Sequence, residues 1–165
     1  MSIVYLSLFF LGVVVVWHIS RGPIYLPASQ KAVESMVRFA KLKPGEKAVD
    51  LGSGDGKIVI GLAQSGGEVR GYEHSLLLVL FSRFKIKLSG ASGKTLIHWG
   101  DFWHANLSEY SAVTIFGIGY IMERLEKKLQ KELKPGSRVS SYLFQFPSWT
   151  PVAHEEGVYH YLVSK

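Results

Sequence analysis

Asp50, Glu73 and Asp101 are the residues whose type and spacing suggest chemistry first. Each lies at or just after the end of a short apolar run, so three carboxylates would gather where three strands finish. The most informative stretch is Val49-Asp50-Leu51-Gly52-Ser53-Gly54-Asp55-Gly56-Lys57. It reads as a strand that runs through glycines directly into a helix. Glycines in that place permit a tight turn and close backbone approach to a ligand at the strand's carboxyl end. A plain structural turn would use the same glycines.

A dinucleotide fingerprint reads G-x-G-x-x-G and seats a pyrophosphate on the helix N-terminus. This loop reads G-x-G-x-G, with Lys57 where the third glycine would fall. Asp50 and Asp55 would repel a pyrophosphate, but they suit the ammonium and sulfonium of S-adenosylmethionine. No Gly-Lys-Ser/Thr follows at the spacing of a Walker A loop. Glu73, 21 residues after Gly52, could accept both hydroxyls of a ribose, a device that dinucleotide sites share. Asp101 could accept from an adenine amino group while Phe102 covers the ring; a turn-capping acid would look the same.

Elements of the right kind are in place to position these acids. Ser29 is a plausible N-cap, and Val33, Met36, Val37 and Ala40 follow at helical spacing before Lys43-Pro44-Gly45. Strands are expected at 47–52, 68–73, 95–99, 112–117 and 138–146, with a last one at 158–163. Helices are expected at 56–64, 75–88 and 120–133. Alternation of strands and helices predicts an α/β fold with a mostly parallel sheet of about six strands and helices on both faces. The residues after 151 leave room for one final strand rather than a hairpin.

The chain has 165 residues, a formal net charge of +6 and 19% charged residues. That is enough for one domain with a sizeable core. The absence of cysteine excludes a disulfide scaffold, a cysteine–zinc site and a cysteine nucleophile. A mean hydropathy of +0.15 beside a pI near 9.5 is an unusual pairing. Met1–Ser20 accounts for it, with 15 apolar residues and no Lys, Arg, Asp or Glu. An uncharged run over 2–20 would span ~28 Å as a helix, close to a ~30 Å hydrocarbon core. The expected organisation is a transmembrane anchor over 1–21 and a catalytic domain over 22–165. Basic residues flank only the C-terminal side of the run. The expected placement is therefore a single-pass membrane protein with its domain on the cytoplasmic or mitochondrial matrix side.

VDLGSGDGKI, GYE, the Ser82-Arg83 pair, GDFW and FPSWTP resemble class I S-adenosylmethionine-dependent methyltransferases. More closely, they are similar to the lysine N-methyltransferases of the ATP synthase c-ring protein and the adenine nucleotide translocase, and to prokaryotic relatives. The resemblance covers about residues 23–151. It implies a Rossmann-like fold with Asp50, Gly52, Gly54, Glu73, Asp101 and Phe102 on the cofactor, S-adenosyl-L-methionine. It also implies a protein lysine as substrate, here expected on a membrane protein.

Methyl transfer from a sulfonium is an in-line displacement that needs alignment and exclusion of water. Aromatics could line a lysine channel and tolerate both amine and methylated ammonium. Tyr25, Phe116, Phe146 and Trp149 are candidates for the substrate side, and Tyr120 for positioning the nucleophile; ordinary core packing is the competing role for each. Phe116-Gly117-Ile118-Gly119-Tyr120 stands where base-amine methyltransferases carry Asn/Asp-Pro-Pro-aromatic, which argues against nucleic acid as substrate. The six histidines show no metal-ligand spacing, and no metal is expected. Two other functions fit the same residues: methylation of a small molecule or lipid, and a non-catalytic nucleotide-binding Rossmann-like module at the membrane.

Overall fold

The computed structural model describes residues 4–7, 9 and 27–164. Its first long helix, α1 (Gln30–Ala40), starts where Ser29 Oγ accepts a hydrogen bond from Ala32 N at 3.1 Å. It ends at Lys41, which takes a left-handed conformation. There follow β1 (Lys47–Leu51), α2 (Lys57–Gln64), β2 (Glu68–Glu73), α3 (Leu76–Leu88), β3 (Thr95–Trp99) and β4 (Ala112–Ile115). The chain then forms α4 (Met122–Glu132), β5 (Arg138–Tyr142), β6 (Ala153–Glu155) and β7 (Val158–Leu162).

The strands form one sheet in the order β3-β2-β1-β4-β5-β7-β6. Pairings from β3 to β5 are parallel, and β7 runs antiparallel to both β5 and β6. The order reverses between β1 and β4. In open α/β sheets a ligand crevice opens at such a point, beyond the carboxyl ends of the strands. One core layer packs α1, α2 and α3 on one face of the sheet through Val33, Met36, Leu62 and Ile86. The other packs α4 and the 143–152 loop on the opposite face through Leu125, Leu129 and Phe146.

Two sequence expectations are corrected. The sheet has seven strands rather than about six, because residues after 151 form a complete hairpin. Its turn, Glu156-Gly157, takes φ of 52° and 76°. Positive φ at both central residues matches the right-handed twist of the flanking strands, so two residues suffice to reverse the chain. The expected N-terminal transmembrane helix is not supported. Among the described residues no helix is long and apolar enough to cross a membrane. Of the apolar run 2–20, only residues 4–7 and 9 are described, as helix, and the rest lies outside the described residues. Hydropathy measures the cost of leaving water, not helix propensity, and this run contains Gly12 and four successive valines, which are weak helix formers.

A buried polar chain joins α1 to the sheet. Ser35 Oγ donates to Glu155 Oε1 at 2.8 Å and lies 2.8 Å from His160 Nε2. A carboxylate can only accept, so Ser35 receives its own hydrogen bond from His160 Nε2–H. The imidazole Nδ1, 2.9 Å from Ser140 Oγ, is then the acceptor, which makes His160 the neutral tautomer. Burial is the main reason His160 is held below the usual histidine range, with Glu155 opposing. A depressed histidine stabilises the fold above its unfolded value of about 6.5, and that contribution is lost as pH falls. His160→Gln should therefore gain on the wild type, in thermal melts, as pH drops from about 8 to 5. A difference in melting temperature that stays constant over that range would refute the assignment.

Candidate cofactor and substrate site

The glycine loop is built by its own backbone and by β2. Gly52, Gly54 and Gly56 take φ of 81°, 51° and 78°, conformations that side chains with a Cβ rarely adopt. Gly52 N and Ser53 N both donate to Tyr72 O at 2.9 Å. Gly54 N donates to Glu73 Oε2 at 2.9 Å, and Ser75 N donates to Glu73 Oε1 at 2.7 Å. Glu73 thus clamps the loop to the start of α3. Each carboxylate oxygen retains a lone pair for another donor.

Asp50 lies on β1 at 1% exposure. Thr114 Oγ1, from the neighbouring strand β4, donates to its Oδ1 at 2.7 Å. Its Oδ2 is buried with no partner, and so is Ser53 Oγ. Burial pushes the Asp50 carboxyl up to about 7; the Thr114 hydroxyl opposes this, and the charges of Glu73 and Asp55 add to it. An unpartnered buried carboxylate oxygen is costly. A cation or donor arriving there would relieve it.

Asp101 follows β3, held beside β2 by Gly100 N donating to Glu73 O at 3.0 Å. It is exposed, and its Oδ1 accepts from Trp103 N at 2.9 Å, so it caps the short 3-10 turn of Phe102–His104. Phe102 is half-buried, its ring 4.9 Å from that of Trp103. Over the Trp103 ring stands the Arg124 guanidinium, 4.1 Å from its centroid.

The structure therefore places Asp50, Gly52, Gly54, Glu73, Asp101 and Phe102 at the carboxyl ends of three adjacent strands. Phe116, just past β4, joins them: with Pro27, Ala28, Ser53, Asp55, Lys57 and Ile58 it lines a small cleft beside the glycine loop. Asp55 is held there by Lys85 at 2.5 Å. Tyr120 sits in the 3-10 turn of Gly119–Ile121 that leads into α4 and is 81% exposed. Phe146 and Trp149 belong elsewhere. Phe146 is 1% exposed and packs on Tyr161 and Trp149 with centroids 5.0 and 5.6 Å apart. Trp149 is half-buried in the same cluster. Both hold the 143–152 loop against α4, where Ser148 N donates to the buried Glu126 at 3.1 Å. Tyr25 lies outside the described residues.

Sequence reading passed over three contributors: Ser53, Thr114 and Gly71. Thr114 is the polar residue inside an otherwise apolar β4 (AVTI), and that was the available signal. Gly71 pairs with Asp50 across β1–β2. A Cβ there would lie 2.6 Å from Ile97 Cδ1 and 2.7 Å from Ser53 Oγ.

Comparison with known proteins places this arrangement. The lysine N-methyltransferase of the ATP synthase c-ring protein from Mus musculus is 42% identical over 127 residues, 77% of this chain and 51% of that protein. This chain therefore spans about half the length of that relative. A protein-lysine N-methyltransferase of Saccharolobus islandicus is 35% identical over 129 residues, 77% of this chain and 80% of that protein. The crystal structure of an RNA methyltransferase from Salinibacter ruber in complex with S-adenosyl-L-homocysteine superposes with a TM-score of 0.80 at 30% identity. That match covers 85% of this chain and 95% of the other, so the fold is the Rossmann-like class I methyltransferase fold. The family model of the ANTKMT methyltransferase domain matches residues 50–153. With more than half of its residues inside that match, the chain belongs to the ANTKMT methyltransferase domain family.

Proposed function

We propose that the chain is an S-adenosylmethionine-dependent methyltransferase acting on a lysine side chain of a protein. The observation that carries this is the pair of unpartnered buried oxygens, Asp50 Oδ2 and Ser53 Oγ, at the turn of the glycine loop. Asp50 and Ser53 would hold the ammonium end of the cofactor. Glu73 would accept the ribose hydroxyls, and Asp101 the adenine amino group beside Phe102. When bound, S-adenosylmethionine supplies an electrophilic methyl on its sulfonium.

A lysine nucleophile must be neutral, although its ordinary pKa is about 10.4. Desolvation lowers it. Phe116 beside the loop and Tyr120 at the rim are the aromatic surfaces available to do this. Their π faces would also accept the methylated ammonium. The lysine N-methyltransferases among the relatives favour a protein substrate. A second reading, methylation of RNA, is favoured by the Salinibacter ruber structure and by the net charge of +6.

Labelled methyl transfer from S-adenosylmethionine into cell extract, separated into protein, RNA and lipid fractions, decides among substrates. Label in a protein band, mapped to lysine by mass spectrometry, is the expected result. Label confined to RNA or lipid would refute the lysine reading. Tyr120→Ala should cut the transfer rate at least about tenfold while leaving S-adenosylhomocysteine affinity unchanged, since loss of one positioning contact is costly in the transition state. An unchanged rate would remove Tyr120 from the site.

A further inference from the structure

α3 carries its apolar surface on the wrong side for a helix that packs on a sheet. Val79, Ser82 and Ile86 face inward and are buried. Leu77, Leu80, Phe81, Phe84 and Leu88 face out, and Leu77, Phe84 and Leu88 are 65%, 60% and 72% exposed. At 100° per residue these five fall within about 100° of one another, a continuous stripe opposite the buried face. Trp99 at the end of β3 extends it. Trp99 is 63% exposed, with Nε1 donating to His74 O at 3.0 Å, beside the start of α3.

Charge around the stripe has one sign. Between residues 74 and 100 there is no Asp or Glu, while Arg83, Lys85, Lys87 and Lys94 all fall within it. By the same helical geometry, Arg83 and Lys87 flank the stripe on one side and Lys85 on the other. Apolar side chains bordered only by cations, with an indole at one end, are the chemistry of a helix lying in a membrane interface. A second copy of this chain would bring like charges together, and the charge-free run 2–20 would leave the cations unanswered.

We infer that α3 and Trp99 form a docking surface for an anionic lipid bilayer. The domain would lie on the surface through the side of α3 that faces away from the sheet. α3 begins immediately after Glu73 and so borders the strand ends that carry the site, leaving the mouth of the site next to the lipid headgroups. This surface does not depend on what the site methylates.

The absence of cysteine permits a clean test in the full chain. Leu80→Cys, labelled with an environment-sensitive fluorophore, is titrated with phosphatidylcholine vesicles containing roughly one-third phosphatidylserine, and with vesicles of phosphatidylcholine alone. A blue shift with the anionic vesicles is expected. The same label at Lys131→Cys, on the opposite face of the sheet, should not shift. Lys87→Glu with Lys94→Glu, built on Leu80→Cys, should weaken the titration more than about tenfold, since each cation near an anionic surface contributes appreciably. An unshifted Leu80 label in vesicles that nevertheless bind the chain would overturn the proposal. So would a shift that follows protein concentration without lipid, which would assign the stripe to a second copy.

Discussion

Asp50→Asn is expected to make the protein more stable and to abolish ligand binding. The carboxyl titrates near 7 in the fold and near 3.9 in an unfolded chain. A carboxyl whose pKa is raised on folding weakens the fold as pH rises from about 4 to 7. The penalty, complete above that range, amounts to ~4 kcal/mol. An asparagine amide avoids the charge but leaves its NH2 unpartnered where Oδ2 now stands, at ~1–3 kcal/mol. The net gain at pH 8 is about 2 kcal/mol, or ~4–8 °C in melting temperature for a chain of this size.

Binding moves the other way. A hydrogen bond to a charged group contributes ~1.5–3 kcal/mol, so calorimetry with S-adenosylhomocysteine should show a loss of ~10–150-fold at pH 8. The wild type should also bind progressively more weakly below about pH 7, as Asp50 becomes protonated, and the variant should show no such slope. A variant that binds normally, or whose pH profile matches the wild type, would remove Asp50 from the cofactor site.

Gly71→Val is expected to damage the fold and the site together. The position lies within β2 and needs no special backbone conformation. What it needs is space: a Cβ would meet Ile97 Cδ1 at 2.6 Å and Ser53 at 2.7 and 2.8 Å. Ile97 can turn its terminal methyl aside. Ser53 cannot move freely, because its N–H is bonded to Tyr72 O and Gly56 N is bonded to its carbonyl. Overpacking of this kind costs ~1–3 kcal/mol, and a valine stands at the upper end. The melting temperature should fall by ~6–12 °C. S-adenosylhomocysteine affinity should fall by at least tenfold, since the displaced Ser53 is part of the site. Gly93→Ala, where a Cβ meets nothing within 4 Å, should change neither. Normal affinity in Gly71→Val would show that the loop tolerates displacement.

Local features of the chain were legible in the sequence because short-range rules govern them. The G-x-G-x-G spacing requires a backbone that only glycines take readily, and the loop forms there. The apolar runs ending in Asp50, Glu73 and Asp101 could be only short strands, and alternation with helical patterns made them parallel. Ser29 and its helix follow from capping and periodicity within a dozen residues. Family-specific residue patterns carried the resemblance further than periodicity could.

Contacts between distant segments were not legible. Asp50 reads as a cofactor acid from its neighbours, but its raised proton affinity comes from burial, against the opposing hydrogen bond of Thr114, 64 residues away. Phe146 and Trp149 are aromatics near proline loops; whether such a ring lines a channel or fills a core depends on what covers it, and here Tyr161 and α4 do. The final hairpin rests on an unusual turn, Glu156-Gly157, that hydropathy does not report. The apolar run of α3 reads as a buried helix, yet its pattern alone could not say which side the sheet would cover. The residues and their spacing by themselves determined a methyltransferase-like loop with three acids beyond three strands. Only the tertiary structure decided which oxygens stay unpartnered, which rings are core and which face of α3 remains open, because burial belongs to the packed assembly and not to any segment of it.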